Sequence, residues 1–122
     1  MGSPPPGRDC GMGLDDPGCT MTRGGGQPML RAEWEGFMQS LRGQINEAAK
    51  SAMVRDTMRS RFITARQLGA LMDLFIGENN RLDAVRFAIP HVVDPGNAMG
   101  YATRFISSSR QREYNQIVSS QR

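Results

Sequence analysis

The chain has 122 residues, of which 39% are apolar and 22% charged, and its formal net charge at pH 7 is +3. This length accommodates one domain, and no run of about 18 apolar residues is present from which a transmembrane helix could form. A single His, two Cys and the lack of a catalytic cluster along the sequence favour a protein that is not an enzyme.

Residues 1–29 contain most of the 14 Gly and 7 Pro of the chain and few large apolar side chains. Such a composition cannot bury enough apolar surface to offset the conformational entropy that is lost on ordering. We therefore predict a disordered tail over residues 1–29 and a folded domain over residues 30–122.

Both cysteines, Cys10 and Cys19, lie in this tail, and the residues between them include Asp16-Pro17-Gly18, which readily forms a turn. A local disulfide is therefore possible, and it would indicate an extracytoplasmic protein, either periplasmic or secreted. A pair of free thiols in a cytoplasmic protein is the alternative.

The two cysteines also recur in similar local sequences, Cys10-Gly-Met12 and Cys19-Thr-Met21. Two thiolates and two thioethers on one short segment are soft sulfur ligands of the kind that select monovalent copper. A copper site formed by Cys10, Met12, Cys19 and Met21 is thus an alternative to the disulfide, because bonded cysteines offer no thiolate. The sequence indicates no other cofactor.

From Leu30 onward the apolar residues recur with the helical period and predict six short helices. On the first helix, which ends near Gly43, the apolar face comprises Leu30, Trp34, Phe37, Met38, Leu41 and Ile45. The later helices are expected at about 47–59, from 65 to Gly77, from there to about 88, and at 95–104 and 110–120. No alternation typical of a strand persists. The predicted fold is all-α, either a compact orthogonal bundle or a superhelical array.

Two helix starts carry specific signals. Thr64 is followed three residues later by Gln67, which is a capping box. Asp94 precedes Pro95, a pattern typical of an N-cap before the first helical residue. We interpret Thr64 and Asp94 as caps rather than catalytic residues, and Gly77 as the left-handed end of the third helix.

The order of several motifs resembles the Domain of Unknown Function 4476 family. The motifs are Phe62-Ile-Thr-Ala-Arg-Gln-Leu68, Leu71-Met-Asp-Leu-Phe75, Arg81-Leu82, Pro90-His-Val-Val-Asp-Pro95 and Phe105-Ile-Ser-Ser-Ser109. The resemblance covers about residues 37–122. It implies a small all-α domain of bacterial secreted or envelope-associated proteins, with no assigned activity and no catalytic residue.

The remaining candidate residues favour structural roles. His91 lies three residues before Asp94 and could form a general base with it, but no nucleophile accompanies the pair. The acidic group Asp73, Glu78 and Asp83 lacks the spacing of a calcium loop and is expected on a solvated helix face. We expect Trp34 to lie in the core.

These observations favour a non-catalytic module that binds a protein or peptide partner in a groove between helix pairs. Nucleic acid is an improbable partner, because Asp56 interrupts the densest basic run, which comprises Arg55, Arg59, Arg61 and Arg66. Copper handling by the sulfur side chains of the tail is the alternative function.

Overall fold

The computed structural model describes residues 9–13 and 15–121. Within these residues the chain forms five α-helices and three 3₁₀ helices, and its β-structure consists of isolated bridges. The α-helices are α1 (Arg31–Arg42), α2 (Glu47–Met58), α3 (Ala65–Met72), α4 (Glu78–Ala88) and α5 (Ser108–Ser119). The 3₁₀ helices are Pro17–Thr20, Ile89–His91 and Pro95–Arg104. The predicted all-α fold is confirmed.

The helices form three successive hairpins with the same order of parts. Each hairpin begins with a short extended segment, continues with an inner helix, turns at an isoleucine and ends with an outer helix. The inner helices are α1, α3 and Pro95–Arg104, and the outer helices are α2, α4 and α5. Because α2 packs on α4, α4 on α5, and α3 on Pro95–Arg104, the hairpins stack as a short array similar to an α-solenoid.

The extended segments before the inner helices lie side by side as a narrow parallel ladder. The amide of Met29 donates to the carbonyl of Phe62 at 2.9 Å, and the amide of Ile63 donates to the carbonyl of His91 at 3.0 Å. The amide of Val93 returns a bond to the carbonyl of Ile63 at 2.9 Å. We call residues 28–30, 62–64 and 92–94 the ladder edge, since they hold the starts of the three inner helices together.

The core lies between the inner and outer helices. Trp34 is buried, as expected, and Phe75 is 1% exposed. The hydroxyl of Tyr114 on α5 donates to the carbonyl of Ala98 at 2.6 Å, which satisfies its polar atom inside the core. Its burial raises the pKa of Tyr114 above the ordinary value, so the hydroxyl remains protonated and able to donate.

Three local predictions need correction. Leu30 and Ile45, predicted on the apolar face of the first helix, are 46% and 98% exposed, because α1 covers only Arg31–Arg42. Gly77 has a φ of −76° and precedes α4, because the Glu47 carboxylate accepts hydrogen bonds from the amides of Ile76 and Gly77. The predicted fifth helix is present over Pro95–Arg104 but is a 3₁₀ helix.

The segment before Leu30 also differs from the prediction. Residues 1–8 and residue 14 lie outside the described part of the chain, whereas residues 9–13 and 15–29, here called the N-terminal segment, pack on the hairpins. Cys10, Asp16, Cys19 and Met29 are all buried. The prediction of disorder therefore needs correction for this segment.

Hydrogen bonds of a single arginine contribute to this packing. The Arg23 guanidinium donates to the carbonyls of Ile89 and Val92, at 2.9 and 3.1 Å, and to the side chain of Gln121 at 2.9 Å. A turn between Arg23 and Gly26 directs this side chain, and it contains Gly24 and Gly25 at φ of +56° and +82°. The glycines that suggested disorder thus form a tight turn that glycine adopts readily.

No helix in residues 9–13 and 15–121 has both the length and the apolar character that crossing a bilayer requires.

Candidate functional site

Four polar side chains are buried where the N-terminal segment meets the ladder edge: Asp16, Thr64, Gln67 and Asp94. Thr64 and Gln67 form the predicted capping box. Thr64 Oγ1 accepts from the amide of Gln67 at 3.0 Å, and Gln67 Oε1 accepts from the amide of Thr64 at 2.9 Å. Gln67 Nε2 also donates to the carbonyls of Cys10 and Met29, at 3.0 and 3.2 Å. The capping box therefore also anchors the N-terminal segment.

Asp16 connects the N-terminal segment to the same cap. Its Oδ2 accepts a hydrogen bond from the Thr64 hydroxyl at 2.8 Å, and its Oδ1 accepts from the amide of Gly18 at 3.0 Å. Because Thr64 Oγ1 accepts from the amide of Gln67 and donates to Asp16, one hydroxyl serves both the helix start and the segment that covers it.

Asp94 does not cap the helix that follows it. Its Oδ1 accepts from the amide of Ala65, the first residue of α3, at 2.8 Å, and its Oδ2 accepts from Asn97 Nδ2 at 2.9 Å. The ladder edge brings residues 62–64 beside 92–94, so the free amide at the start of α3 lies within reach. A Cβ on Gly18 would lie 2.6 Å from Asp94 Oδ1, so only glycine fits there.

A small cavity of about 240 Å³ opens beside these carboxylates and is lined by Asp16, Pro17, Arg66, Asp94, Asn97 and Tyr101. Burial raises the pKa of Tyr101, although the nearby charges of Arg104 and Arg66 oppose this shift. Arg66 itself pairs with Asp15 at 2.8 Å. The carboxylates of Asp16 and Asp94 each accept two hydrogen bonds. Their role in this cavity is to hold the N-terminal segment and the third hairpin to the start of α3.

The two cysteines lie next to Asp16. Cys10 and Cys19 are joined in a disulfide, with their Cα atoms 5.8 Å apart, inside the range that such a bond requires. Of the two candidate thioether ligands, Met12 lines a groove beside Trp34, whereas Met21 is 42% exposed and lines a separate pocket with Val93 and Pro95. The disulfide leaves no cysteine thiolate for a metal.

His91 packs at the ladder edge with its ring centroid 5.3 Å from that of Phe62. Its Nδ1 is buried and has no hydrogen-bond partner within the described residues. Burial lowers the pKa of His91, and the positive charge of Arg23 lowers it further. The ring is thus held in its neutral form, a setting that fits the structural role expected for it.

Asp73, Glu78 and Asp83, the acidic group of the third and fourth helices, each interact with a different partner. Asp73 pairs with Arg104 at 2.9 Å, and Asp83 pairs with Arg86 at 3.1 Å. The Glu78 carboxylate instead accepts hydrogen bonds from the backbone before α5, so it is a structural acceptor rather than part of a solvated face.

A groove of about 480 Å³ runs between α1, α3 and the N-terminal segment. Trp34 and Met38 form its floor, and Met12 lies on the side of the N-terminal segment. Its lining also includes the exposed residues Glu35, Gln39 and Arg42 of α1, together with Gly11 and Ala70. Gly11 has a φ of +80°, and a Cβ there would lie 3.3 Å from Trp34 Cδ1. This glycine lets the N-terminal segment approach the indole closely.

Three isoleucines are exposed at the opposite ends of the helices from the ladder edge. Ile45, Ile76 and Ile106 are 98%, 88% and 92% exposed, and each lies two residues before an outer helix. We call these three residues the isoleucine edge. The sequence carries a signal for it in Ile45-Asn-Glu47, Ile76-Gly-Glu78 and Ile106-Ser-Ser108. The change of the last glutamate to serine weakens this repeat, and the sequence analysis did not identify it.

The model of a known family, described as Domain of unknown function (DUF4476), matches residues 28–118. The match begins at the first segment of the ladder edge and ends near the end of α5, so it spans all three hairpins. The chain belongs to the DUF4476 family. No curated protein and no solved structure matches it. The DUF4476 domain is therefore the three-hairpin array, and residues 9–13 and 15–27 are a preceding segment that packs on it.

Proposed function

We propose that this DUF4476 domain is a non-catalytic module that binds a protein or peptide partner in the groove between α1 and the N-terminal segment. The observation that carries this proposal is the apolar floor of Trp34 and Met38 beside a rim of exposed polar side chains. Recognition sites in proteins commonly combine an apolar centre with a few polar groups that fix the orientation of the ligand.

The groove suits an extended or helical peptide with one large apolar side chain. Glu35 and Arg42 are seven residues apart on α1, which separates their opposite charges by roughly 10 Å along the helix axis. A partner with an apolar anchor between a basic and an acidic residue would match this rim. The expected affinity is modest, because the side chains at the floor are themselves almost covered.

The location that we propose is extracytoplasmic, in a bacterial secreted or envelope protein. The disulfide between Cys10 and Cys19 supports this location, since such bonds persist in oxidising compartments. The hydrogen bonds of Asp16 and Asp94 support a role without catalysis, because every oxygen of the two carboxylates already accepts a hydrogen bond from the protein itself.

Selection from a displayed peptide library, followed by calorimetry, tests the groove. We expect Arg42→Glu and Glu35→Arg each to weaken binding of the selected peptide at least tenfold. Arg112→Glu is the matched control, because Arg112 is an exposed cation on α5 and does not line the groove. Selected peptides that bind all of these variants equally, or a selection without enrichment, would contradict the proposal.

Copper handling is the second candidate, and one observation favours it. Ligand atoms of Cys10, Asp16 and Cys19 lie within 4.8 Å of one another, so reduction of the disulfide would leave two thiols beside a carboxylate. Titration of thiols in the natively purified protein, with and without reductant, separates the two states. Cysteines that react only after reduction would argue against a copper function.

A further inference from the structure

We propose that the isoleucine edge is a docking surface for a lipid bilayer. Ile45, Ile76 and Ile106 are the three most exposed large apolar residues in the described part of the chain, and they occupy equivalent turns of three stacked hairpins. This inference is independent of the groove, which involves α1, α3 and the N-terminal segment.

Stacking places the three side chains in a row. Glu47, the first residue of α2, accepts hydrogen bonds from the amides of Ile76 and Gly77, both at 2.8 Å. Glu78, the first residue of α4, accepts from the amides of Ile106 and Ser107, both at 3.2 Å. The second and third turns are thus each bound to the start of the preceding outer helix. With helices spaced by about 8–10 Å, the row is roughly 20 Å long.

The same hydrogen bonds satisfy the backbone at the tips. A backbone amide that enters the lipid interface without a partner is costly. At Ile76 and Ile106 the amides already donate to carboxylates, so the side chains can enter the acyl region without exposing unpaired amides there. At the first turn, Asn46 Oδ1 accepts from the amide of Ala49 at 2.8 Å. The turns are therefore fixed before binding, which reduces the entropy lost on docking.

The size and shape of the edge favour a bilayer over a second copy of the chain. A stable protein interface buries about 800 Å² per partner and involves about 20–30 residues a side. Three separate side chains cannot supply that area. A bilayer needs no complementary shape, and insertion of several apolar tips is additive in buried area.

Charges of both signs lie close to the edge. Lys50, Arg104 and Arg110 are near the tips, whereas the carboxylates of Glu47 and Glu78 accept hydrogen bonds from the tip amides themselves. The two arginines also form ion pairs with carboxylates. Because these charges offset one another, the apolar side chains supply most of the attraction, and added salt should change binding little.

Co-sedimentation with vesicles tests the proposal. The full chain is mixed with vesicles of phosphatidylcholine alone or with a quarter of phosphatidylglycerol, at low and high salt. We expect binding to both kinds of vesicle at either salt concentration, about tenfold weaker for each single change Ile45→Ser, Ile76→Ser or Ile106→Ser, and more than 100-fold weaker for the triple variant. The matched control is Leu30→Ser, because Leu30 is 46% exposed but lies at the ladder edge.

The outcomes separate the possible occupants. Loss of vesicle binding in the triple variant, with the control and the circular dichroism spectrum unchanged, supports the bilayer. Failure of the wild-type chain to bind the vesicles of phosphatidylcholine alone overturns the proposal. So does an equal loss in Leu30→Ser. Self-association that the triple variant abolishes, without vesicle binding, would assign the edge to a second copy instead.

Discussion

The carboxylate of Asp94 accepts a hydrogen bond from the amide of Ala65 at 2.8 Å, across 29 residues of sequence. This bond joins the start of the third hairpin to the start of the second. Asp94 precedes a proline, as a local N-cap would, yet its side chain caps the neighbouring helix. The cap thus acts as a tertiary contact between two repeats.

Substitutions of Asp94 distinguish a local cap of the helix that begins at Pro95 from a cap of the neighbouring helix α3. Asp94→Ala leaves the buried amide of Ala65 unpaired, and we expect it to lower the free energy of unfolding by about 1–3 kcal/mol. Asp94→Asn retains an acceptor of the same length and should lose less. Asp94→Ser would rescue a local cap but is too short to reach Ala65. Urea unfolding measures all three, and full stability in Asp94→Ser would contradict the tertiary contact.

Removal of the N-terminal segment is expected to destabilise the domain. A chain beginning at Pro28 loses the acceptor of the Thr64 hydroxyl, one of the two acceptors of Gln67 Nε2, and the guanidinium of Arg23. We expect a loss of at least about 3 kcal/mol, a large part of the 5–15 kcal/mol typical of a domain. Thermal unfolding of both chains gives the difference. Equal midpoints would show that the segment contributes nothing to stability.

The disulfide should stabilise the chain by restricting the unfolded state. Cys10 and Cys19 are nine positions apart in the sequence, and for a loop of this length the loss of chain entropy in the unfolded state predicts a stabilisation of about 2–3 kcal/mol. We expect a reductant to lower the denaturation midpoint of the wild-type protein by a corresponding amount. The Cys10→Ala/Cys19→Ala variant is the control, because it should start lower and not respond to reductant. A wild-type midpoint that is insensitive to reductant would exclude this contribution.

His91 makes stability depend on pH. Its pKa is lowered in the folded state by burial and by Arg23, so the unfolded chain binds protons more readily. Stability from the neutral ring is therefore present above the ordinary histidine pKa of about 6.5 and is lost as the pH falls below that value. The wild-type chain should lose more stability between pH 8 and pH 5 than His91→Gln. Parallel profiles for the two proteins would refute this assignment.

Local signals in the sequence predicted the local structure. The capping box of Thr64 and Gln67 involves residues three positions apart, and both of its hydrogen bonds are present. The helical period of the first helix placed Trp34, Phe37 and Leu41 in the core correctly. These features depend on short-range geometry, which a single sequence specifies well.

Features that depend on distant residues could not be predicted in this way. The composition of residues 1–29 indicates too little apolar burial, but the partners that order Arg23 lie 66 and 69 residues later. Ile45 continues the apolar period of α1, and only the end of that helix at Arg42 removes it from the core. The groove likewise requires Gly11 and Trp34 to meet, which no local pattern indicates.

The proposed function is a binding function of the groove, and the indole signal of Trp34 tests it most directly. The chain contains one Trp, so a nitrogen–proton correlation spectrum shows a single indole peak from the floor of the groove. Titration with a selected peptide should shift this peak and the amides of Gly11 and Ala70, with the same affinity as calorimetry. A peptide that binds with full affinity while these three signals remain unchanged would contradict the proposed site.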